Sequence, residues 1–146
     1  MSSETHDRLP PFHLAIPVHD IEVARHFYGE VLGLDRGRSD QRWTDWNMGG
    51  HQVVTHQVEG HRGAVAGSNP VDGHEVPVPH FGLVLTVDRF RELADRLTAA
   101  GVSFVIEPCV RFQGETGEQW TMFFLDPSGN ALEFKAFKDL SQLFAV

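Results

Sequence analysis

The sequence predicts an α+β fold in which two βαβββ modules form a curved mixed sheet. Two segments, one starting at His13 and the other at His80, each run from a short apolar strand through a helix N-cap into a helix. Gly33 ends the first helix and Gly101 the second, so the two glycines repeat nearly the interval between the histidines. Three strand-like segments follow each helix. The chain therefore reads as an internal repeat of one module.

The first module contains a strand, a helix and three more strands. Asp20 is a good N-cap residue, and apolar residues follow it at helical spacing as far as Gly33. The next strands are expected over about residues 34–38, 42–47 and 51–57, with Gly49-Gly50 as the turn between the last two.

The second module repeats this order. Asp88 is the expected N-cap, Phe90, Leu93 and Leu97 share one helical face, and Gly101 closes the helix. The predicted strands cover about residues 102–107, 120–125 and 131–137, with a hairpin turn at Asp126-Pro127-Ser128-Gly129-Asn130.

A single domain, residues 1–146, accommodates both modules, at about 11–57 and 80–137. Residues 58–79 are rich in Gly, Pro and His and show no helical or strand period, so they are interpreted as a linker that could fold over a site. Leu140, Leu143 and Phe144 have the spacing of a short terminal helix.

Composition excludes several classes of function. The formal charge is −8, with 20 acidic and 12 basic residues and no basic cluster, which argues against a nucleic-acid partner. No apolar run is long enough to span a membrane, and the polar N-terminus lacks a secretory signal, so we expect a cytoplasmic protein. The single cysteine, Cys109, cannot form an internal disulfide.

Three residues stand out as possible metal ligands. His13 and His80 occupy equivalent positions in the two modules, so pairing of the modules would bring both imidazoles toward one axis. Glu133 lies in the middle of an apolar strand, where a carboxylate is costly unless a cation, metal or proton compensates it. Taken singly, each residue also has an ordinary structural explanation.

The repeat, the Asp126–Asn130 turn and the following Leu132-Glu133-Phe134 resemble the vicinal oxygen chelate superfamily of glyoxalases, extradiol dioxygenases and resistance proteins. The resemblance covers about residues 11–137. It implies a divalent metal held by His13, His80 and Glu133, with roughly three of six octahedral positions open. It also implies a homodimer, and it leaves open whether the metal site lies within one chain or is shared between subunits.

The resemblance places a fourth ligand position in the last strand of the first module. Counting from the Gly49-Gly50 turn puts Val53 there, which argues against a four-ligand lyase or isomerase. His51 shares a strand face with Val53 and His56 points the other way. These two histidines are the candidate catalytic residues, as proton acceptors.

A three-ligand site favours an iron(II) dioxygenase acting on a small substrate that chelates the metal through oxygens. The alternatives are a redox-neutral lyase, isomerase or thiol transferase using Mn(II), Zn(II) or Ni(II), and a metal-free drug-binding resistance protein. Ring-cleaving members of the superfamily usually place a Tyr near the metal, whereas Tyr28, the only tyrosine, reads as part of a helix core face.

Three residues are candidates for binding the small-molecule substrate. Arg111 could hold a substrate carboxylate in bidentate geometry, although it could equally be a solvated charge paired with Glu115 or Glu118. Trp46 and Trp120 are predicted pocket walls, with an ordinary core position as the alternative.

Overall fold

A computed structural model describes residues 9–61, 67–71 and 73–146. The elements of the first module are β1 (His13–Val18), α1 (Ile21–Arg25, continued by a π-helical stretch, His26–Val31), β2 (Asp35–Ser39), β3 (Trp43–Met48) and β4 (His51–Gln57). Between the modules lie β5 (Gly67–Val71) and β6 (His74–Val78). The second module comprises β7 (His80–Phe81), β8 (Val84–Leu85), α2 (Val87–Ala99), β9 (Phe104–Arg111), β10 (Gln119–Leu125) and β11 (Ala131–Phe137), and a 3-10 helix follows (Leu140–Phe144).

The first module folds into a four-stranded sheet of order β1-β4-β3-β2, in which β1 runs parallel to β4. Asp20 caps α1 as predicted, because its Oδ1 accepts hydrogen bonds from the backbone N–H groups of Glu22 and Val23. Gly49 and Gly50 form the β3–β4 turn with φ values of 59° and 92°, a region that favours glycine.

The second module has the sheet order β7-β11-β10-β9, and β8 also pairs with β11. The expected N-cap at Asp88 is wrong, because Thr86 caps α2 by accepting a hydrogen bond from Arg89 N. The first strand is split into β7 and β8 around Gly82. The α+β class and the repeated modules are confirmed, although the described strands form separate sheets for each module.

Residues 58–79, interpreted as the inter-module linker, contain two strands that the sequence pattern does not indicate. Strands β5 and β6 pair antiparallel there, and residues 62–66 and 72 of this stretch lie outside the described residues. Val76 of β6 is buried against Ile106, Phe123 and Ala131 of the second sheet. The hairpin is thereby held against the face of that sheet that bears Ala131.

One hydrophobic core joins the two modules, and it lies on the side of both sheets that carries the helices. Ile16 and Val18 of β1 and Leu132, Phe134 and Ala136 of β11 belong to it, and Leu14 packs against it. Because side chains alternate along a strand, His13 and Glu133 project from the opposite faces of their sheets.

Polar contacts reinforce this packing of the modules. The buried Tyr28 hydroxyl of the first module donates a 2.7 Å hydrogen bond to Asp126 Oδ2 in the β10–β11 turn. Asn130 Nδ2 donates to Pro17 O at 2.8 Å. In the part of the chain that the structure covers, no helix combines the length and apolar character needed to cross a bilayer.

A candidate metal centre

Glu133 lies at the centre of the candidate site. Its side chain is only 7% exposed, and Oε2 accepts a 3.0 Å hydrogen bond from the Thr121 hydroxyl of the neighbouring strand. Oε1 lies 3.4 Å from Lys135 Nζ and 3.8 Å from His80 Nε2. The buried carboxylate therefore faces one imidazole and one ammonium group.

His80 is oriented for ligation through Nε2. Its Nδ1 lies 2.7 Å from the carbonyl oxygen of Pro77, and because a carbonyl only accepts, Nδ1 must carry the proton. In the neutral ring this leaves the Nε2 lone pair available, on the side of Glu133. The ring also packs edge-on against Phe123, with centroids 4.7 Å apart. Metal-binding histidines typically donate a hydrogen bond from the ring nitrogen that does not bind the metal, and this bond fixes the tautomer.

His13 of the first module is oriented in the same way, with Nε2 free. Its Nδ1 lies 2.7 Å from Gln52 Oε1, an acceptor, so Nε2 is again the free nitrogen. Yet within residues 9–61, 67–71 and 73–146 no group of three His, Cys, Asp or Glu side chains is close enough to hold a metal. A single subunit brings His80 and Glu133 together and leaves His13 apart.

The strand register corrects the alignment of the two modules. His13 pairs with Gln52 and His80 pairs with Ala131, so the first-module counterpart of Glu133 is Val54 and not Val53. Val53 belongs to the core, on the other face of β4. The first module therefore offers an apolar residue at the fourth-ligand position, which agrees with a three-ligand site.

The register also changes which of the two proposed proton acceptors shares the ligand-bearing face of β4. His51 lies on the Val53 face, where its Nδ1 accepts a hydrogen bond from Phe12 N at 2.8 Å. His56 shares the face of His13 but pairs with Pro17, four residues further along β1, which is about 13 Å at the usual strand rise. The structure places neither imidazole beside Glu133.

Tyr28 is a core residue, as the sequence indicates. It is fully buried, and burial together with the neighbouring Asp126 carboxylate raises the pKa of its hydroxyl well above the ordinary value. It does not reach the face that bears Glu133.

Arg111 lines a cavity of about 310 Å³ over strands β9 and β10. Thr121, which hydrogen-bonds the Glu133 carboxylate, lines the same cavity, and His74 of the β5–β6 hairpin reaches it from above the sheet. Neither Glu133 nor His80 lines this cavity, and Arg111 pairs with Gln119, four residues along β10 from Phe123, the partner of Glu133, so its role in substrate binding stays a prediction. The next residue, Phe112, has a φ of 56°, an unusual conformation for a non-glycine residue that is common near functional sites.

The two tryptophans predicted as pocket walls lie on the helix side of the sheets. Trp46 is buried in the core, and its Nε1 donates to Thr55 Oγ1 at 3.1 Å. Trp120 packs against Phe90 of α2, with the guanidinium of Arg91 5.0 Å from its ring centroid. The described residues place both away from Glu133, which supports the core alternative.

Three polar residues at the site were not found by sequence reasoning: Gln52, Thr121 and Lys135. Gln52 and Thr121 were hidden because their contacts depend on cross-strand register. Lys135 could have been found, since it follows Glu133 by two positions and so shares its strand face.

The donors present fit a divalent metal. Nitrogen and carboxylate oxygen suit Mn, Fe, Ni or Zn, and each donor has a partner that fixes its orientation: Pro77 for His80, Gln52 for His13 and Thr121 for Glu133. Lys135 departs from this pattern because it occupies one side of the carboxylate that a metal would bind.

Comparisons with known proteins agree with this fold. A family model described as the Glyoxalase/Bleomycin resistance protein/Dioxygenase superfamily matches residues 11–134. The chain is 27% identical over 125 residues to virulence protein STM3117 of Salmonella typhimurium, covering 86% of this chain and 82% of that protein.

Two solved structures illustrate the likeness. A glyoxalase/bleomycin resistance protein/dioxygenase from Alicyclobacillus acidocaldarius aligns with a TM-score of 0.73 at 29% identity, over 92% of this chain and 96% of that one. The fosfomycin resistance protein FosX from Listeria monocytogenes aligns with a TM-score of 0.66 over 92% of this chain and 98% of its own, but at 17% identity. The second match concerns the fold alone.

Proposed function

Because the chain belongs to the glyoxalase/bleomycin resistance protein/dioxygenase superfamily, we propose that it is a divalent-metal-dependent enzyme acting on a small substrate that binds through adjacent oxygens. The observation that carries this proposal is the pairing of His80 Nε2 with the buried Glu133 carboxylate at 3.8 Å. A buried carboxylate with an imidazole nitrogen oriented toward it is half of a metal site.

The missing ligand comes from a second subunit. Within one chain the core holds the modules together by their helix sides, so the faces that carry His13 and Glu133 both point away from it. A twofold dimer can bring the His13 face of each subunit against the Glu133 face of the other. Each dimer would then contain two sites, each built from His80 and Glu133 of one subunit and His13 of the partner subunit.

Each residue of the chain would have its own role at such a site. When bound, the metal supplies Lewis acidity to the substrate oxygens. Glu133 contributes the anionic ligand, and the Thr121 hydroxyl holds its second oxygen. Pro77 O keeps His80 in the tautomer with a free Nε2, and the β5–β6 hairpin limits the access of water through Val76.

Redox-neutral chemistry on the bound oxygens is favoured. Two observations support this order: the expected proton acceptor His51 accepts a hydrogen bond from Phe12 N, and the other, His56, pairs with Pro17, four residues along β1 from His13. Iron(II) dioxygenase chemistry is the second candidate, because two imidazoles and one carboxylate with open positions form the ligand set of non-haem iron oxygenases. Oxygen uptake with catechols, compared with turnover of methylglyoxal–thiol adducts, separates the two.

Metal content tests the proposal directly. We expect protein purified without chelator to contain one divalent ion per subunit, and His80→Ala and Glu133→Ala each to lose it. His56→Ala is the matched control and should keep its metal. If wild type and the three variants are all equally free of metal, the metal site is ruled out and a metal-free binding protein is favoured.

Subunit mixing tests whether the site is shared. His13→Ala and Glu133→Ala homodimers each lack both sites, but a mixed dimer contains one site with His13, His80 and Glu133 all intact. We therefore expect metal binding to reappear after the two variants are exchanged under mild denaturant. Sites built within single chains would stay defective after mixing.

A further inference from the structure

The proposed metal site does not explain why Lys135, a cation, lies beside the Glu133 carboxylate. It lies two residues after Glu133 on β11, so both side chains project from the same face of the sheet. Its Nζ is 3.4 Å from Glu133 Oε1, and its side chain is 36% exposed. In the described structure this carboxylate neutralises the ammonium group.

Metal binding would change that balance. Glu133 carries one negative charge, which cannot neutralise both a divalent ion and the Lys135 ammonium within a few ångströms. A cation held at a partly buried position is costly unless an anion pairs with it. Further negative charge close to Lys135 would therefore stabilise the loaded site.

The surroundings of Lys135 can accept such a group. Thr121 is its direct cross-strand neighbour on β10 and also lines the 310 Å³ cavity that Arg111 borders. This cavity opens between the sheet and the β5–β6 hairpin, where His74 lies. Thr121 thus adjoins both Lys135 and a space large enough for part of a small molecule.

We propose that Lys135 is the anion-recognition residue of this site, and that the substrate carries an oxyanion group, a carboxylate or a phosphonate, beside its metal-chelating oxygens. This inference rests on the proposed function, because it concerns the same site. Lys135 pairs with Glu133 when the metal is absent and with the substrate when it is present.

A metal-free comparison tests the role of Lys135 independently of the metal. Glu133→Gln removes the partner of Lys135, so we expect the metal-free variant to bind methylphosphonate or acetate about tenfold more tightly than metal-free wild type, as for one charge-assisted hydrogen bond. Isothermal titration calorimetry measures the affinity. The gain should vanish in Glu133→Gln/Lys135→Met and persist in Glu133→Gln/Lys138→Met.

Lys138 is the matched control because it is 76% exposed and lies 3.9 Å from Glu118. Circular dichroism confirms that each variant is folded. The inference is overturned if removal of Lys135 leaves anion affinity unchanged in the Glu133→Gln background. Of methylphosphonate and acetate, the anion that binds with higher affinity identifies the oxyanion class.

A Mn(II)-loaded comparison separates this inference from the proposed function. Loaded Lys135→Met should retain Mn(II), read by electron paramagnetic resonance, and lose about tenfold in anion affinity. If wild type binds no Mn(II), the proposed function fails and the metal-free comparison still decides the role of Lys135. If Mn(II) binds and Lys135→Met binds the anions as wild type does, the Lys135 inference alone fails.

Discussion

At the scale of single residues, Asp126 joins the two modules of the chain. Its carboxylate accepts hydrogen bonds from Tyr28 of the first module and from Ser128 N, Asn130 N and Asn130 Nδ2 of its own turn. Four donors compensate the burial of one charge. The turn and the packing of the modules therefore depend on the same carboxylate.

Replacement of Tyr28 by Phe removes one of these donors. We expect Tyr28→Phe to lower the free energy of unfolding by about 1.5–3 kcal/mol, the usual value of a hydrogen bond to a charged group. Urea unfolding at pH 7 measures it. A loss below about 0.5 kcal/mol would show that the other three donors suffice.

The same tyrosine predicts a pH dependence. Burial and Asp126 raise the pKa of Tyr28 above the ordinary tyrosine value of about 10. Above that pH the unfolded chain loses its tyrosine proton while the folded chain keeps it, so stability falls as pH rises further. The contribution is fully present below pH 10. Tyr28→Phe should show a shallower loss between pH 10 and 11, and an identical slope would contradict this origin.

Residue patterns predicted the candidate ligands but not their orientation. A carboxylate in the apolar strand around Glu133 was visible from the sequence, and the repeat made His13 and His80 equivalent. Gln52 and Thr121 contact the candidate ligands because of the cross-strand register, which cannot be read from the sequence. The prediction of Val53 was wrong by one position because the β3–β4 turn has two residues between paired positions and the β10–β11 turn has five.

At the scale of elements, the β7–β8 segment approaches β11 very closely at Gly82. A Cβ atom placed on Gly82 would lie 1.6 Å from the backbone oxygen of Glu133. Only glycine allows this contact. The position of Glu133 thus depends on a residue without a side chain.

We expect Gly82→Ala to cost about 3 kcal/mol or more, because backbone must move to relieve the overlap. It should also weaken metal binding by displacing Glu133. Gly67→Ala in β5 is the control, since nothing lies within 4 Å of its added Cβ, and it should change stability by less than about 0.5 kcal/mol. Urea unfolding and Mn(II) titration test both, and wild-type behaviour of Gly82→Ala would refute the argument.

The β5–β6 hairpin was missed because its sequence hides the usual signals. Pro70 and Pro77 interrupt the strands, and among the residues of β6 only Val76 is buried, so no alternation appears. Pattern reasoning performs well for strands with a buried face and fails for a two-stranded hairpin held by one side chain.

At the scale of the whole molecule, the core that unites the modules also separates His13 from Glu133. If the metal joins ligands of two subunits, metal binding and association are thermodynamically linked. We expect Mn(II) to lower the dimer dissociation constant of wild type, measured by analytical ultracentrifugation, and to have little effect on His13→Ala. An equal shift in both proteins would show that the metal does not bridge the subunits.

The outward orientation of the two ligand faces has a consequence for behaviour in dilute solution. On the proposed arrangement a lone subunit contains two half-sites and no complete one, so turnover per subunit would rise with protein concentration until pairing saturates. Newly synthesised chains would stay inactive until they meet a second copy. The amount of protein in the compartment would then set both the number of catalysts and the fraction that works.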